Sequence, residues 1–309
     1  MIPLAALGLF LAGMAANLCP AGDRSPAFVE EWRGLATDRP WFSHPLSLAA
    51  GPDGSIYVLD SAEGRLLRLT EDGTAVSIRD LPQEGSHPEG RFNSVAAGGN
   101  AVYVNSPAAN CIYQLDPEGR IRTRFPFGCH LNGLAVDPLG YLYVSGDRIT
   151  PDLALPGALG NEKPAIWKLN RQGDVLGRWN IPETGAIAVG PDGVVWAATR
   201  AFEGGPRVLR RLSPFGVMLS EWELNELSRL EIGGLAVDAR GHAYLTLPHC
   251  GMVVELDRQG RVARRWSRTD PGGQPLSQPA GVAVGAQGHL YIADCARSRI
   301  VKYDPETRR

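Results

Sequence analysis

The chain has 309 residues, of which 44% are hydrophobic, with 37 Gly, 24 Pro and a formal net charge of −2. The apolar share excludes an intrinsically disordered polymer. The near-neutral balance lacks the long-range basic field of a nucleic-acid binder, so no nucleic-acid partner is expected.

The chain opens on MIPLAALGLFLAGMAANL, and its first charged residue is Asp23. About 16 apolar or small residues fall short of the roughly 20 that span a bilayer. They fit the apolar core of a secretory signal, with Ala15 closing a small-residue cleavage site. No Lys or Arg precedes them, so an uncleaved N-terminal anchor stays open beside the signal peptide. Residues 1–22 are assigned to this segment and a short tether, and 23–309 to one folded unit. The expected location is exported, periplasmic or extracellular. A membrane tether through the N-terminal segment or a lipidated Cys19 is the variant, although Leu18 stands where a lipidation motif needs a small residue.

Next, FVEEW (28–32) is an isolated strand pattern ending in an aromatic. Six copies of one unit follow: PLSLAAGPDGSIYVLD (45–60), FNSVAAGGNAVYVNS (92–106), LNGLAVDPLGYLYVSG (131–146), GAIAVGPDGVVWAAT (185–199), GGLAVDARGHAYLTL (233–247) and AGVAVGAQGHLYIAD (280–294). Each is an alternating strand, a Gly-containing turn and a second strand with one aromatic, which is the hairpin signature. A third strand and a polar turn follow, as in IYQLDPEG (112–119) and VVELDRQG (253–260). A fourth strand then carries an aromatic six residues past the turn Gly: Phe125, Trp179, Trp222 and Trp266. The first copy departs from this with Ile78 five residues after Gly73, and the sixth stops at Arg309 without a fourth strand. Residues 28–32, with Trp32, supply the missing strand. The sequence therefore predicts an all-β, six-bladed β-propeller whose N-terminal strand closes the last blade, leaving no unpaired edge.

In such a ring the first-to-second and third-to-fourth turns share one face, where they are short. The second-to-third and fourth-to-first loops share the other, where 36–45, 81–91, 146–165 and 267–279 are long. Long loops on a rigid scaffold carry binding residues. Trp41, Phe42, Arg91, His130 and Arg148 are the candidates there. Four cysteines map to the same face, and Cys111–Cys129 and Cys250–Cys295 are the expected disulfides of an exported chain. His44, His87, His130 and His249 also fall on this face, where imidazoles clustered around an axis could bind zinc, but scattered loop histidines are more often plain surface residues and no metal is assigned. His242 and His289 sit in the short turns and are read as incidental.

The copies resemble the NHL repeat, most closely in QPAGVAVGAQGHLYIADCARSRIVKYD (278–304), and the resemblance spans 28–309. It implies the propeller fold and leaves function open. The wording is also similar to that of streptogramin-lyase-like, peptidyl-hydroxyglycine lyase and gluconolactonase/regucalcin propellers. Those families place their chemistry at the mouth of the axial channel, a position that here holds Leu46, Asn93, Asn132, Gly185, Gly233 and Ala280. RFNSVAAG (91–98) and LNGLAVDPLGYLYVS (131–145) resemble the asparagine motifs of the lactonase family. Its metal-binding carboxylates correspond to Leu46 and Gly185, so no cofactor is expected beyond a weak divalent site. No axial histidine and no nucleophile elbow is found. Asn93 and Asn132 are read as amides capping adjacent strand ends around a wet channel. The expected function is that of a binding or assembly module using its long-loop face, with an exported or membrane-associated protein or a small ligand as partner. A lyase or lactonase acting at the axial channel is the alternative, and catalytic residues are unassigned.

Overall fold

Alternating strands separated by Gly-containing turns fold back on their neighbours, and each group of four closes into one antiparallel sheet. The computed structural model describes residues 26–33, 42–82, 92–127, 131–146, 164–182, 184–202, 204–267 and 274–306. Its six four-stranded sheets make the six-bladed β-propeller that the repeat predicts. Blades 1 to 5 each use four consecutive strands. The sixth is ordered as the closing strand Ala27–Trp32, then Arg299–Asp304, Leu290–Asp294 and Pro279–Val284. Ala27 pairs with Asp304 and Trp32 with Ile300. Among the described residues no helix is long and apolar enough to cross a membrane.

The third-to-fourth turns explain the aromatic rule. In blades 1 to 5 the register shifts at the end of the third strand, for example between Lys168 and Leu169. The turn closes on a glycine with positive φ, such as Gly173 or Gly216. This is the bulged turn that such hairpins favour. The same glycine is where the preceding blade docks. A Cβ on Gly216 would lie 2.2 Å from Trp179, one on Gly260 2.3 Å from Trp222, and one on Gly73 2.5 Å from Trp32. Trp32, Phe125, Trp179 and Trp222 thus each lie against the turn of the next blade, whereas Trp266 meets Tyr303, and Trp32 does for blade 6 what Trp179 does for blade 3. In blade 1 the sixth position is Arg79, not Ile78. Its Cγ would be 2.8 Å from a Cβ on Gly119, and its Nε donates to Glu118 O at 3.1 Å. The aromatics also pack inward: Trp32 lies 5.3 Å from Tyr291, Trp179 5.7 Å from Tyr143 and Trp222 5.7 Å from Trp196, centroid to centroid.

The closing strand is held by charge as well as by its ladder. Arg299, fully buried, donates to Asp294, also fully buried, and to Glu31 Oε2 of the closing strand at 2.7 Å. Lys302 Nζ reaches Glu30 Oε1 at 3.2 Å. Burial would raise the Glu31 pKa, but hydrogen bonds from Arg33 and Arg299 outweigh it and hold it below the usual value.

Candidate functional site

The first strands stand around the axis and leave a cavity of about 470 Å³. All six mouth positions line it: Leu46, Asn93, Asn132, Gly185, Gly233 and Ala280. The two amides reach sideways. Asn93 Nδ2 donates to Leu131 O and Asn132 Nδ2 to Thr184 O, each at 2.8 Å and each across to the next blade. Hydroxyls continue the ring. Ser47 Oγ accepts from Val95 N, Ser94 Oγ accepts from Leu134 N, and Ser145 Oγ donates to Gly185 O. Blade-to-blade polar links of this kind satisfy backbone groups that the ladders leave over. Asn93 Oδ1 is buried with no partner among the described residues, which leaves one acceptor for water.

A divalent cation does not suit this mouth. The positions that match the lactonase carboxylates are Leu46 and Gly185, which offer no side-chain oxygen, so these six mouth positions supply amide oxygens and no carboxylate. Hard cations need several oxygen donors with negative charge among them. Among the described residues no three His, Cys, Asp or Glu side chains are grouped to hold a metal.

Charge does enter at the rim. Glu231, Arg207 and His249 border the cavity, and His249 Nε2 lies 2.7 Å from Glu231 Oε2. Both partners are largely exposed, at 68% and 61% of their side-chain surface. Sequence reasoning placed His249 on this face but missed Glu231 and Arg207. Glu231 lies in the connection that leads into blade 5 and Arg207 opens the third strand of blade 4, so the ring brings both to one rim although 24 positions separate them in the chain. The segment RLEIGG (229–234), a charged residue two places before an axial glycine, was the available signal.

Of the rim candidates, Phe42 is corrected. It is fully buried in a cluster with Trp32, Leu48 and Ile56, so it is core and not a contact residue. The cause is Asp60, whose carboxylate accepts from Ser43 N and His44 N and turns the chain inward just after Phe42. Asp294 does the same for Ser277 and Gln278, with Leu276 buried beneath. Trp41, Arg91, His130 and Arg148 lie outside the described residues, as do Cys19, Cys129 and His87.

Neither expected disulfide is present. Cys111 and Cys295 keep their thiols, whereas Cys250 is disulfide-bonded to neither of them. Cys295 sits in a 3-10 turn whose thiol donates to Pro45 O of blade 1, away from blade 5. Burial, then the charges of Asp294 and Asp60, pushes its pKa up to about 12, so it is not a reactive thiolate. Cys111 is packed in the blade 1–2 core with Phe92 and Leu59.

With this geometry in place, the molecule is a six-bladed β-propeller, and its last blade carries the sequence of an NHL repeat, matched over residues 276–303. No curated protein matches the chain. Among solved structures, a streptogramin B lyase is similar over 89% of this chain and 96% of its own, with a TM-score of 0.59 and 16% identity. A gluconolactonase from Xanthomonas campestris covers 92% and 98%, with a TM-score of 0.60 and 15% identity. Regucalcin, a calcium-binding protein from Agrobacterium tumefaciens, covers 91% and 95%, with a TM-score of 0.61 and 15% identity. At these identities the likeness is one of fold.

Proposed function

We propose that this chain is an exported propeller that binds a partner protein or small ligand over its long-loop face, at the rim of the axial cavity. The observation that carries this reading is the mouth itself. Both asparagines are used to tie blades together, and the fixed charge, Arg207 with the Glu231–His249 pair, stands at the rim. Rim charge and cavity serve recognition without chemistry. The apolar N-terminal segment supports export.

A lyase acting at the same cavity is the second reading, and the Glu231–His249 contact favours it. A carboxylate that orients an imidazole at a cavity mouth is the arrangement a general base needs. His249→Ala and Arg207→Ala separate the two. In the binding reading Arg207→Ala weakens capture of the partner in a pull-down by about tenfold or more, since arginine is a frequent hot spot. His249→Ala changes capture by only a few-fold. In the lyase reading His249→Ala abolishes turnover of a cyclic ester or lactone panel, by about a hundredfold or more. Turnover that is lost with His249 and kept with Arg207→Ala displaces the binding reading.

A further inference from the structure

The short-turn face carries the two most exposed large apolar side chains among the described residues, Phe215 at 85% and Leu139 at 75%. Leu139 is in the first-to-second turn of blade 3 and Phe215 in the third-to-fourth turn of blade 4. Together with Leu176 they line a groove of about 660 Å³ floored by Tyr141 and Trp179. Val217, 61% exposed, extends the patch. Cations flank it: Lys168 Nζ lies 4.4 Å from the Tyr141 ring centroid and 5.8 Å from that of Phe215, and Arg171 Nη2 donates to Leu139 O. Asp192 and the buried Asp137 also line the groove and offset these cations, so the patch is apolar first and only weakly charged.

A second observation says what covers it. The closing strand starts at Ala27, paired with Asp304 at the end of a third strand, and third strands end on the short-turn face. The apolar stretch 1–18 therefore leads into the fold on that same face, at blade 6. Eight residues, 19–26, lie between, and eight residues reach about 30 Å at most. In a six-membered ring blade 6 stands opposite blade 3. An apolar segment at one edge and an apolar patch at the other define a plane.

We propose that the short-turn face rests on a lipid bilayer. The N-terminal segment holds it at blade 6, and Leu139, Leu176, Phe215 and Val217 enter the interface at blades 3 and 4. Apolar tips sink to the acyl boundary while Lys168 and Arg171 keep their charges at the headgroups. The long-loop face then points into the aqueous phase, free for the partner inferred above. The inference rests on the N-terminal segment acting as an anchor, and the test separates that premise from the docking.

The full-length protein is reconstituted with vesicles of phosphatidylcholine and phosphatidylglycerol. A spin label is placed at Val217→Cys, or at Phe202→Cys on the opposite face, with the identically treated parent as blank. Flotation with the vesicles reads the anchor. Accessibility to a water-soluble nickel relaxant reads the docking. The expected result is flotation of both, at least fivefold lower accessibility at 217 than at 202, and loss of that difference in Leu139→Ser/Phe215→Ser. Flotation with equal accessibility overturns the docking and leaves the anchor standing. Failure to float overturns both. Protection at 217 that persists without lipid assigns the patch to a second copy of the chain and also overturns the proposal.

Discussion

Arg299 gathers two ends of the ring closure in one side chain, since its guanidinium joins Asp294 of its own blade to Glu31 of the closing strand, 268 positions away. Removing one member of a buried charged set leaves the others uncompensated, at about 3–5 kcal/mol. Arg299→Met is expected to fall in that range by urea denaturation, and a loss under 1 kcal/mol would count against the assignment. Glu31 adds a pH dependence whose sign is fixed. Its folded pKa is depressed below 4.5, so its contribution is complete above that value and disappears as pH falls through the folded pKa. The stability gap between the parent and Glu31→Gln should therefore be constant near neutrality and narrow below about pH 4.5. A gap that widens in acid would overturn the sign. Gly216 is the other sensitive residue. Its φ is +83°, and an added Cβ meets the Trp179 ring. Left-handed backbone costs an L-residue about 1–2 kcal/mol and the overpacking a further 1–3. Gly216→Ala should destabilise by about 2–5 kcal/mol, and Trp179→Ala in the same chain should relieve part of it, a coupling that a double-mutant cycle measures.

At the scale of elements, the blades were legible because each hairpin repeats its own turn chemistry: GPDG, DPLG or DARG between alternating strands leaves little choice of register. The spare strand, read as 28–32 and found at Ala27–Trp32, was legible through the position of its aromatic. What the pattern hid were the points where tertiary contact reassigns a residue. Phe42 reads as an exposed loop aromatic until Asp60 is seen to pull its neighbours' amides inward. Cys295 reads as the mate of Cys250 until its thiol is seen against blade 1. The Glu231–His249 pair joins the segment that leads into blade 5 to the second-to-third loop of that blade, 18 positions on, and no local spacing announces such a meeting. The axial amides are a mixed case, since their position and a strand-capping role were read from the sequence, while the particular carbonyls they hold, Leu131 O and Thr184 O, followed only from geometry. An amide bridging two blades contributes about 0.5–1.5 kcal/mol. Asn93→Ala/Asn132→Ala should thus cost about 1–3 kcal/mol in thermal or chemical denaturation while metal content stays unchanged. Loss of a stoichiometric bound metal in that variant would instead restore the lactonase reading.

For the whole molecule, the closing contact has the greatest sequence separation in the fold, since Ala27 meets Asp304 and no earlier blade holds residues so distant. Five blades can form from consecutive hairpins, but the sixth waits for both ends of the chain. Closure entropy grows as the logarithm of loop length, so closing a loop of some 270 residues costs about 3 kcal/mol more than closing one of ten. Folding rate, more than equilibrium stability, is where such non-local contacts are felt. A circular permutant tests this. The chain is opened within 34–41, and Ala27 follows Asp304-Pro305-Glu306 through a single glycine. That reproduces the DPEG turn of blade 2, with Trp32 again six residues past the glycine, and Phe28 still opposite Tyr303 as Ile121 is opposite Leu115. The native contacts are kept while the longest-range pairing becomes a hairpin. Refolding should accelerate by about tenfold, with the unfolding rate nearly unchanged, because the closing strand's native contacts stay intact in the folded state. A permutant that refolds no faster would show that the ring closes before the slowest step. One that unfolds much faster would show that the covalent link from Trp32 into blade 1 holds the ring in a way that pairing alone does not.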